Sequence, residues 1–128
     1  MKVLIDTSAL IRSFGQFGEF SSAARALMDD AAVTKIYSVA VFWEMTIKHA
    51  LGRLPLPAAP AVIWSELEKS GTGIVLNIFP RHLERLGSLE DHHRDPFDRL
   101  MIAQAFEDGL EVISSDSQWD AYGVKRIW

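Results

Sequence analysis

Two aspartates three residues apart, Asp95 and Asp98, are the first residues whose types and spacing could do chemistry. Asp95 precedes Pro96 at a predicted helix start, where proline costs no hydrogen bond and an acidic side chain caps free N–H groups. The helix dipole favours negative charge there, so both carboxylates are tolerated on the first turn. Two interpretations are open: Asp98 completes a capping box with Asp95, or the pair supplies oxygen ligands to a site.

Three further acids lie where a crevice is expected. Asp6 follows the apolar run Val3–Ile5, and Asp116 comes just past a later predicted strand. Open α/β sheets bind ligands at the carboxyl ends of their strands, although either residue could also be a helix cap. Glu44 is in the middle of a predicted helix beside its apolar stripe. It either lines a cleft or forms a solvent-facing pair with Lys48.

The elements that must position these acids alternate along the chain. The unbroken apolar run at the first strand is typical of a strand buried on both faces of a parallel sheet. The alternation predicts an α/β fold of three layers, with a central, mainly parallel sheet of four or five strands flanked by helices. Strands are predicted at Val3–Ile5, Ile36–Tyr37, Gly73–Ile78 and Leu110–Ile113, with an edge strand at Val124–Trp128.

Turn and cap residues set the predicted helix ends. Gly15–Glu19 is predicted as a loop without distinctive chemistry. Helices are predicted from about Ala9, from Ser22 to about Ala31, over Val39–Ala50, around Val62–Leu67 up to Gly71, over Pro80–Leu86, and from Asp95 to Gly109, followed by a short turn at Ser117–Tyr122. We interpret Trp43, Trp64 and several phenylalanines as core residues, with the alternative that exposed members receive a partner helix in a groove. We interpret His92 and His93 as polar residues of a surface loop, because neighbours on a loop do not readily converge on one ion.

A parallel sheet gathers the carboxyl ends of its strands, and the helix starts that follow them, at one edge. We therefore expect Asp6, Asp98 and Asp116 to converge there, joined by Glu44 if its helix packs across that edge. Four such carboxylates would repel one another strongly unless a cation lay among them. Oxygen ligands favour Mg²⁺ or Mn²⁺, and such a site supports hydrolysis of phosphodiester bonds by metal-activated water.

Composition limits the classes of protein that the chain can represent. Its 128 residues, 48% of them apolar and 23% charged, are typical of one globular domain over 1–128. The absence of cysteine excludes disulfides and thiolate chemistry, and it fits a reducing compartment such as the cytoplasm. A net charge of −4 argues against bulk electrostatic coating of nucleic acid. No stretch approaches the ~18 apolar residues of a membrane span, so no membrane association is expected.

Four motifs occur in order along nearly the whole chain. They are Leu4–Ser8; the helix with Glu44 and Lys48 that leads into Gly52–Pro57; His93–Leu100; and Ser114–Asp116 followed by Tyr122 and Trp128. Together they resemble the PIN-domain ribonucleases of the VapC type, the toxins of bacterial toxin–antitoxin pairs. The resemblance implies a PIN fold and Mg²⁺- or Mn²⁺-dependent endoribonuclease activity. It also implies a homodimer that is inhibited by a small antitoxin protein.

The resemblance assigns roles to the four acids. Asp6, Glu44, Asp98 and Asp116 match the family's acids in chain order. It implies that Asp6 and Asp98 are metal ligands and that Asp116 completes the set, directly or through water. Glu44 would bind the metal or position the attacking water.

Further residues have accessory roles by the same resemblance. Ser8 and Ser114 would hold the acids in place by hydrogen bonds. Asp95 either shares ligation with Asp98 or caps the helix, and the cap is favoured. Four basic residues are candidates for binding RNA phosphates, with an ordinary role as surface cations as the alternative: Lys48, Arg53, Arg94 and Arg99.

Two other functions are compatible with the chain's length. A catalytically inactive PIN-fold module would bind RNA or protein, but it would have no reason to keep four mutually repelling acids. A phospho-acceptor receiver domain would need an acidic neighbour at Asp6, an aspartate at the end of the third strand and a lysine at the end of a late strand. Asp6 has no such neighbour, Ile78 is followed by Phe79-Pro80, and Ser114–Asp116 includes no lysine. The nuclease is therefore the favoured interpretation.

Overall fold

The computed structural model describes residues 1–15 and 18–128 and is built on a five-stranded sheet. The strands lie in the order β3-β2-β1-β4-β5, and every neighbouring pair is parallel. The predicted parallel sheet is thus confirmed, including its last strand. The strands are β1 (Lys2–Ile5), β2 (Thr34–Ser38), β3 (Gly73–Leu76), β4 (Glu111–Ile113) and β5 (Arg126–Ile127).

Helices connect these strands and cover the sheet, which completes the predicted three-layer α/β arrangement. In the described ranges they are α1 (Thr7–Ser13), α2 (Ser22–Asp29), α3 (Val39–Ala50), α4 (Pro60–Ser70), α5 (Pro80–Ser88), α6 (Pro96–Asp108) and a 3₁₀ helix over Ser117–Tyr122. Gly71 and Gly109 end α4 and α6 with φ of 64° and 62°, the left-handed conformation that glycine adopts at no steric cost. None of these helices is long and apolar enough to cross a membrane.

Small differences from the predicted boundaries occur at element ends. β3 ends at Leu76 rather than Ile78, and α2 ends at Asp29, two residues before Ala31. The predicted loop Gly15–Glu19 includes residues 16 and 17, which lie outside the described residues. Helix and strand ends fray by one or two residues in general, so these shifts leave the topology unchanged.

The central strand and α6 form the core. Val3, Leu4 and Ile5 have no exposed surface, as expected for a strand covered on both faces. Gln104 of α6 is equally buried, and both ends of its amide are hydrogen-bonded. Its Oε1 accepts from the Ser38 hydroxyl at 2.6 Å, and its Nε2 donates to the Asn77 carbonyl at 3.3 Å. This amide fixes α6 against the carboxyl ends of β2 and β3.

The two tryptophans predicted for the core differ in burial. Trp64 of α4 is buried and stacks on Phe42 of α3, with ring centroids 5.1 Å apart. Trp43, the next residue of α3, leaves 52% of its surface exposed. The prediction is therefore correct for Trp64 and wrong for Trp43. Phe42 and Trp43 are adjacent on α3 and point about 100° apart, so Phe42 rather than Trp43 packs on the buried Trp64.

Candidate metal centre at the carboxyl edge of the sheet

The site lies where β1 and β4 run side by side. Ile5 is paired with Ile113, so Asp6 and Ser114 are the first residues beyond two neighbouring strand ends. The backbone N–H of Asp6 donates to the Ile113 carbonyl at 3.2 Å. β2 and β3 lie on one side of β1 and β4 on the other, which is the change of direction that opens a crevice in parallel sheets.

Asp6 is buried and held by hydrogen bonds. Its Oδ1 accepts from the backbone N–H of Ala9 at 2.6 Å and from the Ser8 hydroxyl at 2.9 Å, and the Ser114 hydroxyl also bonds to the carboxylate. Burial raises the pKa of Asp6, while the bonds from Ser114, Ala9 and Ser8 oppose the rise. Asp6 therefore caps α1 and faces the acidic crevice at once, so the two interpretations of this residue were never exclusive.

Asp95 and Asp98 divide the roles expected at the start of α6. The Asp95 carboxylate caps the helix by accepting from the N–H groups of Phe97 and Asp98, at 2.8 and 3.1 Å. The capping-box interpretation of Asp98 is wrong, because the backbone N–H of Asp95 donates instead to Nδ1 of His93 at 3.0 Å. Among the described residues the Asp98 carboxylate accepts no hydrogen bond; its nearest cationic-type atom is His93 Nε2, at 3.5 Å.

The charges of the acidic cluster act on the pKa of Asp98. Burial, and then the charges of four other acids, raise its pKa from 3.8 to about 8. Those acids are Asp95, Glu44, Asp6 and Asp116, in falling order of effect. Glu44, Asp6 and Asp116 therefore lie close enough to Asp98 to raise its pKa.

His93 is the site residue that sequence reasoning missed. It is only 7% exposed, in contrast to the exposed His92, and its Nε2 lies 2.7 Å from Asp116 Oδ2. Because Nδ1 accepts the Asp95 N–H, the ring proton is on Nε2, from which it is donated to Asp116. A histidine two residues before an aspartate N-cap could have signalled this bond. One ligand-type atom each of His93, Asp98 and Asp116 lies within 4.8 Å of the others.

Glu44 is buried between two partners. Its Oε1 accepts from the Thr7 hydroxyl and its Oε2 from Lys48 Nζ, both at 2.7 Å. The predicted pair with Lys48 thus forms, but its acid is 4% exposed rather than solvent-facing. Burial acts to lower the pKa of Lys48, yet Glu44, Asp95 and Asp98 raise it overall, so this lysine lies within the field of the acidic cluster.

Ser114 joins the acids of the two strand ends. Its hydroxyl bonds to the Asp6 carboxylate, and it accepts the backbone N–H of Asp116 at 3.1 Å. Asp116 in turn caps the 3₁₀ helix by accepting the Gln118 N–H at 2.9 Å, while its second oxygen accepts from His93. Asp116 is therefore held at both oxygens, and Asp98 is the least engaged carboxylate of the cluster.

The four predicted phosphate-binding residues differ in their contacts. Arg99 donates to the Glu90 carbonyl at 2.9 Å and to the Tyr122 hydroxyl at 3.1 Å, so it holds the loop before α6 in place. Lys48 is paired with Glu44. Arg53 and Arg94 are exposed, and their side chains have no hydrogen-bond or acidic partner within 1–15 and 18–128.

Comparisons with known proteins place this geometry in a family. The PIN domain model matches residues 3–125. The fold is similar to DNA-bound VapBC from Salmonella typhimurium, at 14% identity and TM-score 0.69 with 99% of this chain and 97% of that chain covered. It is also similar to FitAcB from Neisseria gonorrhoeae, at 18% identity and TM-score 0.69, with 100% of this chain and 97% of that chain covered. A third similar structure is the sarcin–ricin-loop-cleaving toxin VapC20 from Mycobacterium tuberculosis, at 19% identity and TM-score 0.68, with 95% of each chain covered. No curated protein sequence matches. With a family model that spans nearly all of its length, the chain belongs to the PIN-domain family.

Proposed function

We propose that residues 1–128 form a single PIN domain that cleaves RNA internally, with Mg²⁺ or Mn²⁺, as the toxin of a toxin–antitoxin pair. The observation that carries this proposal is the pKa of Asp98, raised to about 8 by burial and by four neighbouring acids. A fold gains nothing by collecting buried carboxylates that repel one another, unless the cluster has a cation to bind. Lys48 lies within the field of the cluster but is paired with Glu44, and the pKa of Asp98 is raised all the same.

The donor set fits a hard divalent ion. Asp6, Asp98 and Asp116 would hold it, since carboxylate oxygens are the ligands that Mg²⁺ and Mn²⁺ prefer. The bound ion would supply the positive charge that activates water and stabilises the departing oxygen of the phosphodiester. Asp98 would bind most directly, because its oxygens accept no hydrogen bond from residues 1–15 and 18–128.

The remaining side chains would orient these ligands and the attacking water. Glu44 is held by Thr7 and Lys48, so its position is fixed independently of the ligands, and it would orient the water that attacks phosphorus. Ser8 and Ser114 fix the Asp6 carboxylate by hydrogen bonds.

Asp95, the N-cap of α6, and His93, two residues before it, would act by positioning other residues. Asp95 remains the helix cap, because its carboxylate is already used by two N–H groups. His93 would orient Asp116 rather than bind the ion, since its Nε2 carries the proton that Asp116 accepts. We therefore propose His93 as a positioning residue.

The RNA backbone would contact cations at the rim. Arg53 and Arg94 are the best candidates because they are exposed and unengaged within the described part of the chain. Lys48 is partly exposed and could add a contact from its place beside Glu44. Arg99 is the weakest candidate, since its donors already hold backbone carbonyls.

The partners follow from the same assignment. The solved structures of similar fold include a toxin–antitoxin complex from Klebsiella pneumoniae. By that likeness we propose a small cognate antitoxin, a homodimer, and action on RNA in the cytoplasm.

The test is cleavage of total RNA by the purified protein, with and without Mg²⁺ or Mn²⁺, followed by mapping of the cut ends. We expect metal-dependent internal cuts that Asp6→Asn and Asp98→Asn each abolish. Asp91→Asn is the matched control, because its carboxylate is 91% exposed and the chemical change is the same. Metal-dependent cleavage that survives in both site variants would refute the site. RNA binding without any cleavage under all conditions would instead favour the inactive module.

A further inference from the structure

We propose that Trp43 and Phe97 form an aromatic platform on which one base of a single-stranded RNA stacks beside the acidic cluster. The inference rests on the proposed function, since it assigns a binding subsite for the substrate of that centre. It adds a base-recognising element to a site that otherwise offers only carboxylates and cations.

Trp43 is exposed in a place where a core residue was expected. Its surface is 52% exposed, whereas Trp64 and Trp119 are buried. Its ring lies against Phe97, with centroids 4.9 Å apart and planes at 86°. Exposure of so large an apolar ring to water is unfavourable, so a ligand that covers the ring would gain free energy from the apolar area it buries.

The platform is continuous with the proposed metal centre. Trp43 immediately precedes the buried Glu44 in α3, and Phe97 immediately precedes Asp98 in α6. The backbone N–H of Phe97 is bonded to the Asp95 carboxylate. The two rings are therefore carried by residues whose Cα atoms lie about 3.8 Å from those of two acids of the cluster.

The ring geometry leaves a face free for stacking. In an edge-to-face pair at 86°, the edge of one ring meets a face of the other, so at least one face of the indole is uncovered by Phe97. Every nucleobase has a π-face, and stacking on an aromatic side chain is tolerant of sequence. The platform thus provides affinity for unpaired bases without dictating which base is present.

The charged residues favour RNA over a second protein copy as the partner that covers the Trp43 ring. Lys48, partly exposed, lies one turn beyond Glu44, and the exposed Arg94 precedes the Asp95 cap, so each of the two segments that carry the platform also carries a cation. The competing occupant is suggested by Ile47 and Leu51, which continue an exposed apolar stripe along α3. Leu51 is eight residues from Trp43, about 12 Å along the helix axis, and so lies away from the acids.

The experiment measures RNA binding and cleavage by Trp43→Ala, Trp43→Phe and the control Leu51→Ala, which removes a similarly exposed apolar side chain (61%, against 52% for Trp43) from the C-cap of the same helix. The probes are a mixed-sequence single-stranded RNA of about ten nucleotides and the same backbone with abasic riboses, with the metal chelated for binding and Mg²⁺ or Mn²⁺ added for cleavage. We expect Trp43→Ala to weaken binding, and to raise KM, by about 5- to 100-fold, which corresponds to the loss of one stacked base.

The expected pattern has further features that separate the alternatives. Trp43→Phe should keep most of the affinity, Leu51→Ala should match the parent protein, and the abasic RNA should bind the parent and Trp43→Ala equally. RNA should quench tryptophan fluorescence in the parent and much less in Trp43→Phe. Unchanged KM and binding in Trp43→Ala would overturn the platform while leaving the nuclease intact. Loss of self-association in both Trp43→Ala and Leu51→Ala, with RNA affinity unchanged, would reassign the stripe as an interface between copies. Failure of the parent to bind or cleave RNA would refute the proposed function itself.

Discussion

Replacing Asp98 by asparagine should stabilise the metal-free protein, although it removes the most available ligand of the proposed centre. The folded-state pKa of Asp98 is about 8, against 3.8 for the ordinary carboxyl. The folded protein therefore keeps a proton on Asp98 that the unfolded chain releases. The stability that this proton contributes is complete below about pH 4, and it is lost as the pH rises towards 8.

The magnitude follows from that difference in pKa. Between 3.8 and neutral pH lie about three pH units, each worth about 1.4 kcal/mol, so the wild-type carboxyl destabilises the metal-free fold by up to about 4 kcal/mol at pH 7. Monovalent cations drawn to the cluster offset part of this, which makes the figure a ceiling. Asparagine has nearly the same shape, does not titrate, and removes the penalty.

The assay is urea unfolding of the parent, Asp98→Asn and the control Asp91→Asn, with metal chelated, at several values from about pH 5 to pH 8. We expect the parent and the control to lose about 1 kcal/mol per pH unit relative to Asp98→Asn. Millimolar Mg²⁺ should then stabilise the parent and the control by about 2 to 3 kcal/mol if it saturates the site, and Asp98→Asn by much less.

Two results would refute this reasoning. A stability difference between parent and Asp98→Asn that does not change with pH would show that Asp98 is not a repelled, buried acid. Equal stabilisation of both proteins by Mg²⁺ or Mn²⁺ would show that the ion binds elsewhere. Either result can be read without measuring cleavage.

The remaining predictions concern packing and positioning. Gly73→Ala should destabilise the fold by about 1 to 3 kcal/mol in thermal or urea unfolding, because its Cβ would lie 2.4 Å from a ring carbon of Tyr37. Gln104→Ala should cost about 2 to 4 kcal/mol by the same measurement, since it opens a cavity and leaves buried polar partners unpaired. His93→Ala should lower the rate of cleavage about 10- to 100-fold with little loss of stability. His93→Gln keeps an N–H donor for Asp116 and should recover part of the lost rate, as measured in a pH–rate profile.

Much of the fold could be predicted because local rules determined it. The unbroken apolar run at Val3–Ile5 is typical of a strand buried on both faces, and the structure buries it completely. The glycines after α4 and α6 and the aspartate before α6 mark helix ends by backbone conformation and capping, which depend on a few neighbouring residues. The alternation of elements then predicted a parallel sheet, and with it the edge at which Asp6 and Asp116 lie.

Only the tertiary structure decided what depends on distance between remote segments. The sequence already favours Asp95 as the helix cap, but whether Asp98 completes a capping box was decided by His93, whose ring takes the N–H that the box would have used. His93 itself was judged a surface residue, because nothing nearby in the chain shows that Asp116 comes to it.

The same physical reason separates Trp43 from Trp64. The sequence by itself determined that both are large apolar residues of helices, but the packing of α3 against α4 and α6 decided which ring is covered. Likewise, the Asp98 carboxyl has ordinary chemistry as an isolated residue, and burial among other acids raises its pKa. Local conformational preference is determined by neighbouring residues, whereas burial and the interaction of charges arise only when the chain has folded.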